Sequence, residues 1–555
     1  MIGRAAPTDR IGFQLGRVDE HGSEASVSYV ASARLRGLGT WRFHNTLSLE
    51  DVRGHWRVHW TPAAVLPGMR RGDHLVEVRT LPERASILDR SGQPLFRPTP
   101  VVTIGVVPRL LKQRTRTLRV LDAAAGLDPA RVKALLAAAQ PSQFVPLITL
   151  RRPDYERIRA QVHPLPGVHF QTGNEPLAPT RAFARPLLGY VGQATADALR
   201  EAGPLFTAAD QLGLAGLQRS FQRRLAGTPT GTLVLADKHG RQLTTLFRVR
   251  GRPGQPVQLT LDRRLQTAAE RALDTTTNPA ALVAVQASTG DLLAVANRPA
   301  DSFDRALSGL YPPGSAFKII TATALLAHGI TPATMVACQP ATVVNGKTFT
   351  NFEHEAFGTA PFALDFAGSC NTAFISMAPR LTSTDLTHTA HLFGIGARLR
   401  MPVEAVSGQV PLTSDPVEHA ADMIGQGRVL VSPLAMALAA ATAASGNWHP
   451  PRLIINPPEP PSAPQPPSPP TAAVTSLRQL MRLVVTQGTG TAANLPGTPV
   501  YGKTGTAEFR NGNPPPTHAW FIGYRGDIAF AVIIENGGVG GQTAAPIAAT
   551  FLRAT

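Results

Sequence analysis

Lysine is nearly missing from this chain: six lysines stand against forty-eight arginines in 555 residues. Guanidinium stays protonated in proteins, so a chain built on arginine has few side-chain amines that can act as a base. Cysteine is almost as scarce. Cys338 and Cys370 are the only two, and neither sits in a Cys-x-x-Cys pair, which excludes a disulfide framework and supports no zinc or redox motif. They could pair in an oxidising compartment or remain free and buried; with only two present, the free, buried state is favoured. No run of eighteen apolar residues occurs, so the sequence holds no candidate membrane-spanning helix. Met1-Ile2-Gly3-Arg4-Ala5 lacks the apolar core of a signal peptide. Compact basic blocks are also absent. The net charge of +17 would suit a polyanion, but a nucleic-acid reading rests on that charge alone, and arginine- and alanine-rich usage from a GC-rich genome explains it as well.

What is present begins with 43% hydrophobic residues, ample for real cores, and a length that predicts more than one domain. Residues 1 to 66 read as β-rich, because 25–30, 40–43 and 56–60 alternate apolar and polar. That segment is small for an independent domain. Residues 67–255 are mixed. Ile87 to Leu95 reads as strand, turn, strand about Asp89-Arg90-Ser91-Gly92, and helices are expected near 128–139 and 152–161. Gly251, Pro253, Gly254 and Pro256 mark a boundary. From 256 to 555 the pattern changes: hairpins at 281–296 and 519–534 enclose alanine- and leucine-rich helices such as 316–328 and 433–444, which predicts an antiparallel sheet with a helical lobe. Nine of the fourteen residues from Pro457 to Pro470 are proline, read as an extended, solvated surface loop.

Two of the six lysines lie where chemistry would use them. Tyr311-Pro312-Pro313-Gly314-Ser315 precedes an apolar helix, so Ser315 sits at or near a helix N-terminus whose free N–H groups suit a developing oxyanion. Lys318, three residues on, shares that face, and a neutral amine there can take the hydroxyl proton. No other lysine follows a serine at this spacing. Alone, the tetrad also fits an N-cap serine beside a surface lysine. Ser369-Cys370-Asn371 adds a relay hydroxyl and an amide that both donates and accepts. Lys503-Thr504-Gly505-Thr506 adds a cation, two hydroxyls and a glycine that admits a ligand to a strand's backbone. Each piece is common, but the ordered set is specific.

That set resembles the signature of the class B penicillin-binding proteins. The resemblance extends to Ile424-Gly425-Gln426-Gly427, to Gln487-Gly488-Thr489-Gly490-Thr491, and upstream to Arg84-Ala85-Ser86-Ile87-Leu88-Asp89-Arg90-Ser91-Gly92 and Gly213-Leu214-Ala215-Gly216-Leu217-Gln218, although the family usually has glycine where this chain has Ala85. It implies a multidomain α+β chain: a partial cone-shaped N-terminal domain over 1–66, a pedestal or dimerisation domain over 67–255, and over 256–555 a transpeptidase fold, a five-stranded antiparallel sheet with helices on both faces and a helical lobe. The implied activity is peptidoglycan D,D-transpeptidation through a serine acyl-enzyme, with β-lactams as acylating mimics and no cofactor or metal. Ser315 would be the nucleophile, Lys318 the base and Ser369 the relay. Asn371, Lys503, Thr504, Gly505 and Thr506 would bind substrate, with the N–H groups of Ser315 and Thr506 as oxyanion donors. Stem peptides, β-lactams and a membrane glycosyltransferase are the implied partners, with no nucleic acid.

The resemblance further implies an exported, membrane-anchored protein, so the expectation is a recorded start downstream of the true one, or a truncated form. A β-lactamase on the same scaffold is the rival enzyme, but no Glu-x-x-Leu-Asn segment is present to activate water. A non-catalytic β-lactam sensor is the rival binder, and the complete residue set argues against it. His354, flanked by Glu353 and Glu355, fits a solvated loop better than a metal site.

Overall fold

The computed structural model describes residues 8–35, 37–301, 303–512 and 514–555. The opening residues Met1 to Ala5 lie outside them. Two compact units emerge: Pro94–Arg181, and a larger one that runs to Gln93 and resumes at Ala182.

The smaller unit has Arg97–Val106 as the centre of a three-stranded antiparallel sheet, flanked by Val145–Arg151 and Val168–Leu177. Val102, Ile104 and Val106 alternate onto one face and are buried with Leu121, Val132, Leu136 and Tyr155. The helices expected near 128–139 and 152–161 form at Pro129–Ala137 and Arg152–Val162. Asp128 caps the first by accepting from Ala130 N, with Pro129 preset at its opening position.

In the larger unit, Thr8–His21, Glu24–Leu35, Gly39–Asp51 and Trp56–Val58 form an antiparallel meander. It does not close a core by itself. Ala33, Leu35, Leu38 and Trp41 share one with Leu66 and with Leu233 and Leu235 of the neighbouring strand Thr230–Ala236. The strand–turn–strand expected around residue 90 is half realised. Asp89 Oδ1 accepts from Ser91 N and Gln93 N, both at 2.9 Å, and Gly92 takes φ 78°. Ile87–Leu88 then pairs in parallel with Val257–Leu259 rather than with the segment after the turn. The two upstream segments that carried the resemblance meet: Arg84 donates to Gln218 Oε1 at 2.7 Å and to the Gln218 carbonyl at 2.9 Å.

The sheet that positions the site is five-stranded and antiparallel, in the order Leu292–Arg298, Ala280–Gln286, Ile528–Ile534, Thr517–Arg525, Val500–Glu508. The two hairpins seen in the sequence thus join edge to edge. Leu282, Ala284, Phe530 and Val532 face a core completed by helices Arg263–Leu273 and Ala544–Leu552. The intervening Val283, Val285, Ala531 and Ile533 are equally buried, and Pro433–Ser445 packs on the same strands. Coverage of both faces explains why these strands read as continuous apolar runs. The proline-rich segment is a largely exposed loop, as expected, pinned at one point. Its midpoint is buried, with Ser462 Oγ donating to Pro451 O at 2.6 Å and Arg400 N donating to Ser462 O at 2.7 Å.

Candidate active site

Tyr311 anchors the approach to Ser315. Its N–H and carbonyl exchange hydrogen bonds with Val431 at 3.0 and 2.9 Å, and its hydroxyl donates to Glu535 at 2.7 Å. Gly314 follows with φ 52° and donates to Gly425 O at 2.9 Å; a methyl group here would lie 2.7 Å from Thr506 O, so only glycine fits between the two segments. Ser315 then lies in a 3₁₀ turn, Gly314–Phe317, and the α-helix begins only at Lys318. The expected alignment survives this change, because side chains three residues apart eclipse in a 3₁₀ turn. Ser315 is half-buried and Lys318 fully buried.

Ser369 and Asn371 reach the same place from the junction of helices Phe362–Ala367 and Asn371–Ser376. Ser369 has φ 65°, a left-handed conformation that costs energy in a non-glycine residue. Lys318 Nζ donates to Asn371 Oδ1 at 2.7 Å and to the Ser369 carbonyl at 2.8 Å, with Ser369 Oγ at 3.5 Å. Lys503 Nζ donates to that same Oγ at 2.8 Å and to Thr504 O at 3.2 Å. One hydroxyl therefore links the two amines. Both Nζ atoms also lie over aromatic rings, Lys318 at 5.1 Å from Phe374 and Lys503 at 5.7 Å from Phe366.

Burial depresses the basicity of both lysines. Lys318 lies well below its ordinary value, first because it is desolvated and second because Lys503 is near; Asp365 opposes the fall. Desolvation pushes Lys503 down to about 7.

Val500–Glu508 is an edge strand, paired on one side with Thr517–Arg525. A methyl on Gly505 would meet Pro313 O at 2.7 Å and Ala316 N at 3.0 Å, so the strand lies directly against the Ser315 turn. Thr504 Oγ1 shares a 2.5 Å hydrogen bond with Thr489 Oγ1, and Thr506 Oγ1 accepts from Gly540 N at 3.3 Å. With its amide turned to match the strand, Gln426 donates to Glu508 O at 3.2 Å and accepts from Glu508 N at 3.0 Å.

The structure brings all eight sequence-selected residues into three abutting segments, and it adds others. Asn351 Oδ1 accepts from Asn371 N at 2.8 Å and from Thr372 N at 2.9 Å, so it holds the helix start that carries Asn371. Nothing in its loop sequence announces this. Asp365, fully buried one turn before Ser369, was also missed. The cysteines overturn the expectation of free thiols: Cys338 and Cys370 form a disulfide, with Cα atoms 6.1 Å apart. The strand Met335–Cys338 brings Cys338 to the Ser369 loop, a proximity that no spacing rule supplies. Cys338, Asp365 and Cys370 are the one tight cluster of metal-ligand types among the described residues, but its sulfurs are bonded to each other and offer no thiolate. His354 is exposed, as a solvated loop residue should be.

Two family models match the chain: the penicillin binding protein transpeptidase domain over residues 280–553 and the penicillin-binding protein dimerisation domain over residues 79–259. Among characterised relatives, it is similar to the peptidoglycan D,D-transpeptidase PbpA of Mycobacterium tuberculosis, with 30% identity over 379 residues, 57% of this chain and 75% of the relative. It is also similar to the peptidoglycan D,D-transpeptidase MrdA of Acinetobacter baumannii, with 24% identity over 534 residues, 83% of this chain and 79% of the relative. Of solved structures, the complex between a penicillin-binding protein (PBP2) and MreC from Helicobacter pylori matches with a TM-score of 0.64 and 20% identity over 86% of this chain and 98% of that one.

Proposed function

The chain belongs to the class B penicillin-binding proteins, is a serine-type peptidoglycan D,D-transpeptidase, and, we propose, carries its acyl-enzyme on Ser315. The observation that carries the site assignment is the single hydroxyl of Ser369 lying between two buried amines, 2.8 Å from Lys503 and 3.5 Å from Lys318. A desolvated amine is neutral near physiological pH and accepts the Ser315 proton as Oγ attacks the carbonyl of the penultimate D-alanine of a stem peptide. Ser369 passes a proton to the departing D-alanine. The N–H groups of Ser315 and Thr506 stabilise the oxyanion, and the closeness of Gly505 to the Ser315 turn supports that pairing. Asn371 orients the donor peptide, and the free edge beside Gly505 pairs with its backbone. Lys503, Thr504 and Thr506 hold the terminal carboxylate. An amine of a neighbouring stem then accepts the acyl group and completes the crosslink. β-Lactams acylate Ser315 by the same route.

The enzyme acts on the extracytoplasmic side of the membrane, where peptidoglycan is built. No helix among the described residues is long and apolar enough to cross a membrane. We propose that it works there under membrane anchoring and beside a membrane glycosyltransferase that supplies the glycan strands. Support for such a partnership comes from the likeness, at a TM-score of 0.65 and 25% identity, to a chain of a peptidoglycan synthase complex that coordinates polymerisation and crosslinking.

The test is labelling with fluorescent penicillin, wild type against Ser315→Ala. Covalent label should appear on the wild type and vanish from the variant; label retained by Ser315→Ala would refute the assignment.

A further inference from the structure

Cys370 has Ser369 before it and Asn371 after it, and the disulfide fixes it to Cys338. Cys338 ends the strand Met335–Cys338, which pairs along its whole length with Gly358–Pro361. Polar contacts stitch the two sides around the bond. Thr372 Oγ1 donates to Gln339 O at 2.6 Å, and Asn351 Nδ2 donates to that same carbonyl at 2.8 Å while its Oδ1 holds Asn371 N and Thr372 N. From the opposite side, the Asp365 carbonyl accepts from Cys370 N at 2.9 Å. Both cysteines are buried. Two thiols need more room than two bonded sulfurs, and a close-packed interior supplies it only through a backbone shift. The strand that carries Cys338 is held by its ladder. The segment that carries Cys370 includes Ser369 at φ 65°, a conformation that persists only where the surroundings over-determine it. That segment is therefore the side that yields when the bond opens.

We infer that the Cys338–Cys370 disulfide is a redox-dependent positioning device for acyl transfer: closed, it holds Ser369 and Asn371 where Lys318 and Lys503 reach them; open, it leaves the chain folded with those groups misplaced. This rests on the reading of Ser315, Lys318 and Ser369 given above. Lys318 Nζ reaches the Ser369 carbonyl at 2.8 Å and Asn371 Oδ1 at 2.7 Å, and Lys503 Nζ reaches Ser369 Oγ at 2.8 Å. All three contacts end on the two residues that flank Cys370. A misplacement of about 1 Å in such an array costs on the order of a hundredfold in rate. The disulfide takes no part in the acyl transfer itself; it acts through Ser369 and Asn371. A dithiol opens it by two exchanges. The first thiolate attacks one sulfur, forms a mixed disulfide and releases one cysteine thiolate; the second thiol of the reductant then displaces the other cysteine. Two electrons and two protons pass to the protein sulfurs, and the dithiol leaves as a cyclic disulfide. A small disulfide in excess runs the exchange backwards and takes the electrons away.

The experiment compares acylation by a fluorescent penicillin in oxidised wild type, in wild type reduced with a dithiol and then freed of it without air, and in Cys338→Ser with Cys370→Ser. Maleimide capping of denatured samples counts the free thiols by mass, and thermal melting checks that each form is folded. A concentration series separates the rate constant of acylation from the affinity of the complex that precedes it. In the reduced and the doubly substituted protein the rate constant should fall by about tenfold or more. Affinity, set largely by the strand Val500–Glu508, should change a few-fold at most. Reoxidation by a small disulfide should restore the wild-type rate and leave the double variant unmoved. A bond that served stability alone would lower the melting temperature and the amount of labelled protein, but not the rate constant of the folded fraction. Reduced wild type that carries both free thiols and acylates at the oxidised rate overturns the inference. So does reduced wild type that no longer melts cooperatively, because the bond then serves folding alone. The reduced wild type decides if the double variant fails to fold. Oxidised wild type that does not acylate, or Ser315→Ala that does, overturns instead the site reading beneath.

Discussion

Lys503 Nζ donates to Ser369 Oγ at 2.8 Å, and these two groups come from an edge strand and a helix junction that lie 134 residues apart in the chain. The bond joins the substrate-holding side of the cleft to the relay hydroxyl. It also places a second buried amine near Lys318, whose proton affinity falls in consequence. Several measurable properties depend on this contact.

Lys503→Met should abolish most β-lactam acylation yet stabilise the fold. The Lys503 amine has a folded value of about 7 against an ordinary 10.5, so the unfolded chain binds more protons between those limits. Wild-type stability therefore rises with pH through that window, and the full penalty of burying the cation applies below about 7. Methionine removes the penalty. The variant should melt higher than wild type at pH 6, with the difference shrinking as pH approaches 10. A variant that melts lower than wild type at pH 6 would contradict a buried, destabilising ammonium.

The acylation rate should follow a bell-shaped pH profile. Lys318 must be neutral to accept a proton, so the rate is lost as pH falls through its depressed value. Lys503 must be charged to hold a carboxylate, so affinity is lost as pH rises through about 7. The second-order rate constant for a carboxylate-bearing penicillin reports both limbs. A neutral β-lactam ester should lose the falling limb and keep the rising one. Identical profiles for acid and ester would remove Lys503 from carboxylate binding.

Removing the disulfide by Cys338→Ser with Cys370→Ser should lower stability by about 3–4 kcal/mol, the chain-entropy value for a loop whose ends are 32 residues apart. Denaturant midpoints with and without reductant measure it. Reductant should lower the wild-type midpoint and leave the double variant unchanged. A wild-type midpoint indifferent to reductant would mean that the bond does not carry this load.

Much of this arrangement is legible before any coordinates exist. Pro312, Pro313 and Gly314 announce a break ahead of an apolar helix, and the three-residue step from Ser315 to Lys318 aligns the two groups in either an α- or a 3₁₀ turn. The hairpins at 281–296 and 519–534 follow from turn chemistry and apolar runs, and both form. The misses share a cause. Local turn chemistry pairs Ile87–Leu88 with its sequence neighbours, yet in the fold it pairs with Val257–Leu259, about 170 residues away. Asn351 and Asp365 carry no local signature, because their importance lies in what folds against them. The proline run correctly suggested irregular backbone, but its composition gave no sign that Ser462 would be pinned inside.

By itself, then, the sequence determined the chemical groups, their order and their short-range spacing, since those depend on covalent geometry and backbone preference within a turn or two. Only the tertiary structure decided that Lys318 and Lys503 lose their water, that Ser369 stands between them, and that Cys338 closes on Cys370. Desolvation and through-space charge depend on which distant segments pack together. The reactivity of the two lysines is thus a product of burial, drawn from a helix start, a helix junction and a sheet edge that meet only in the folded chain.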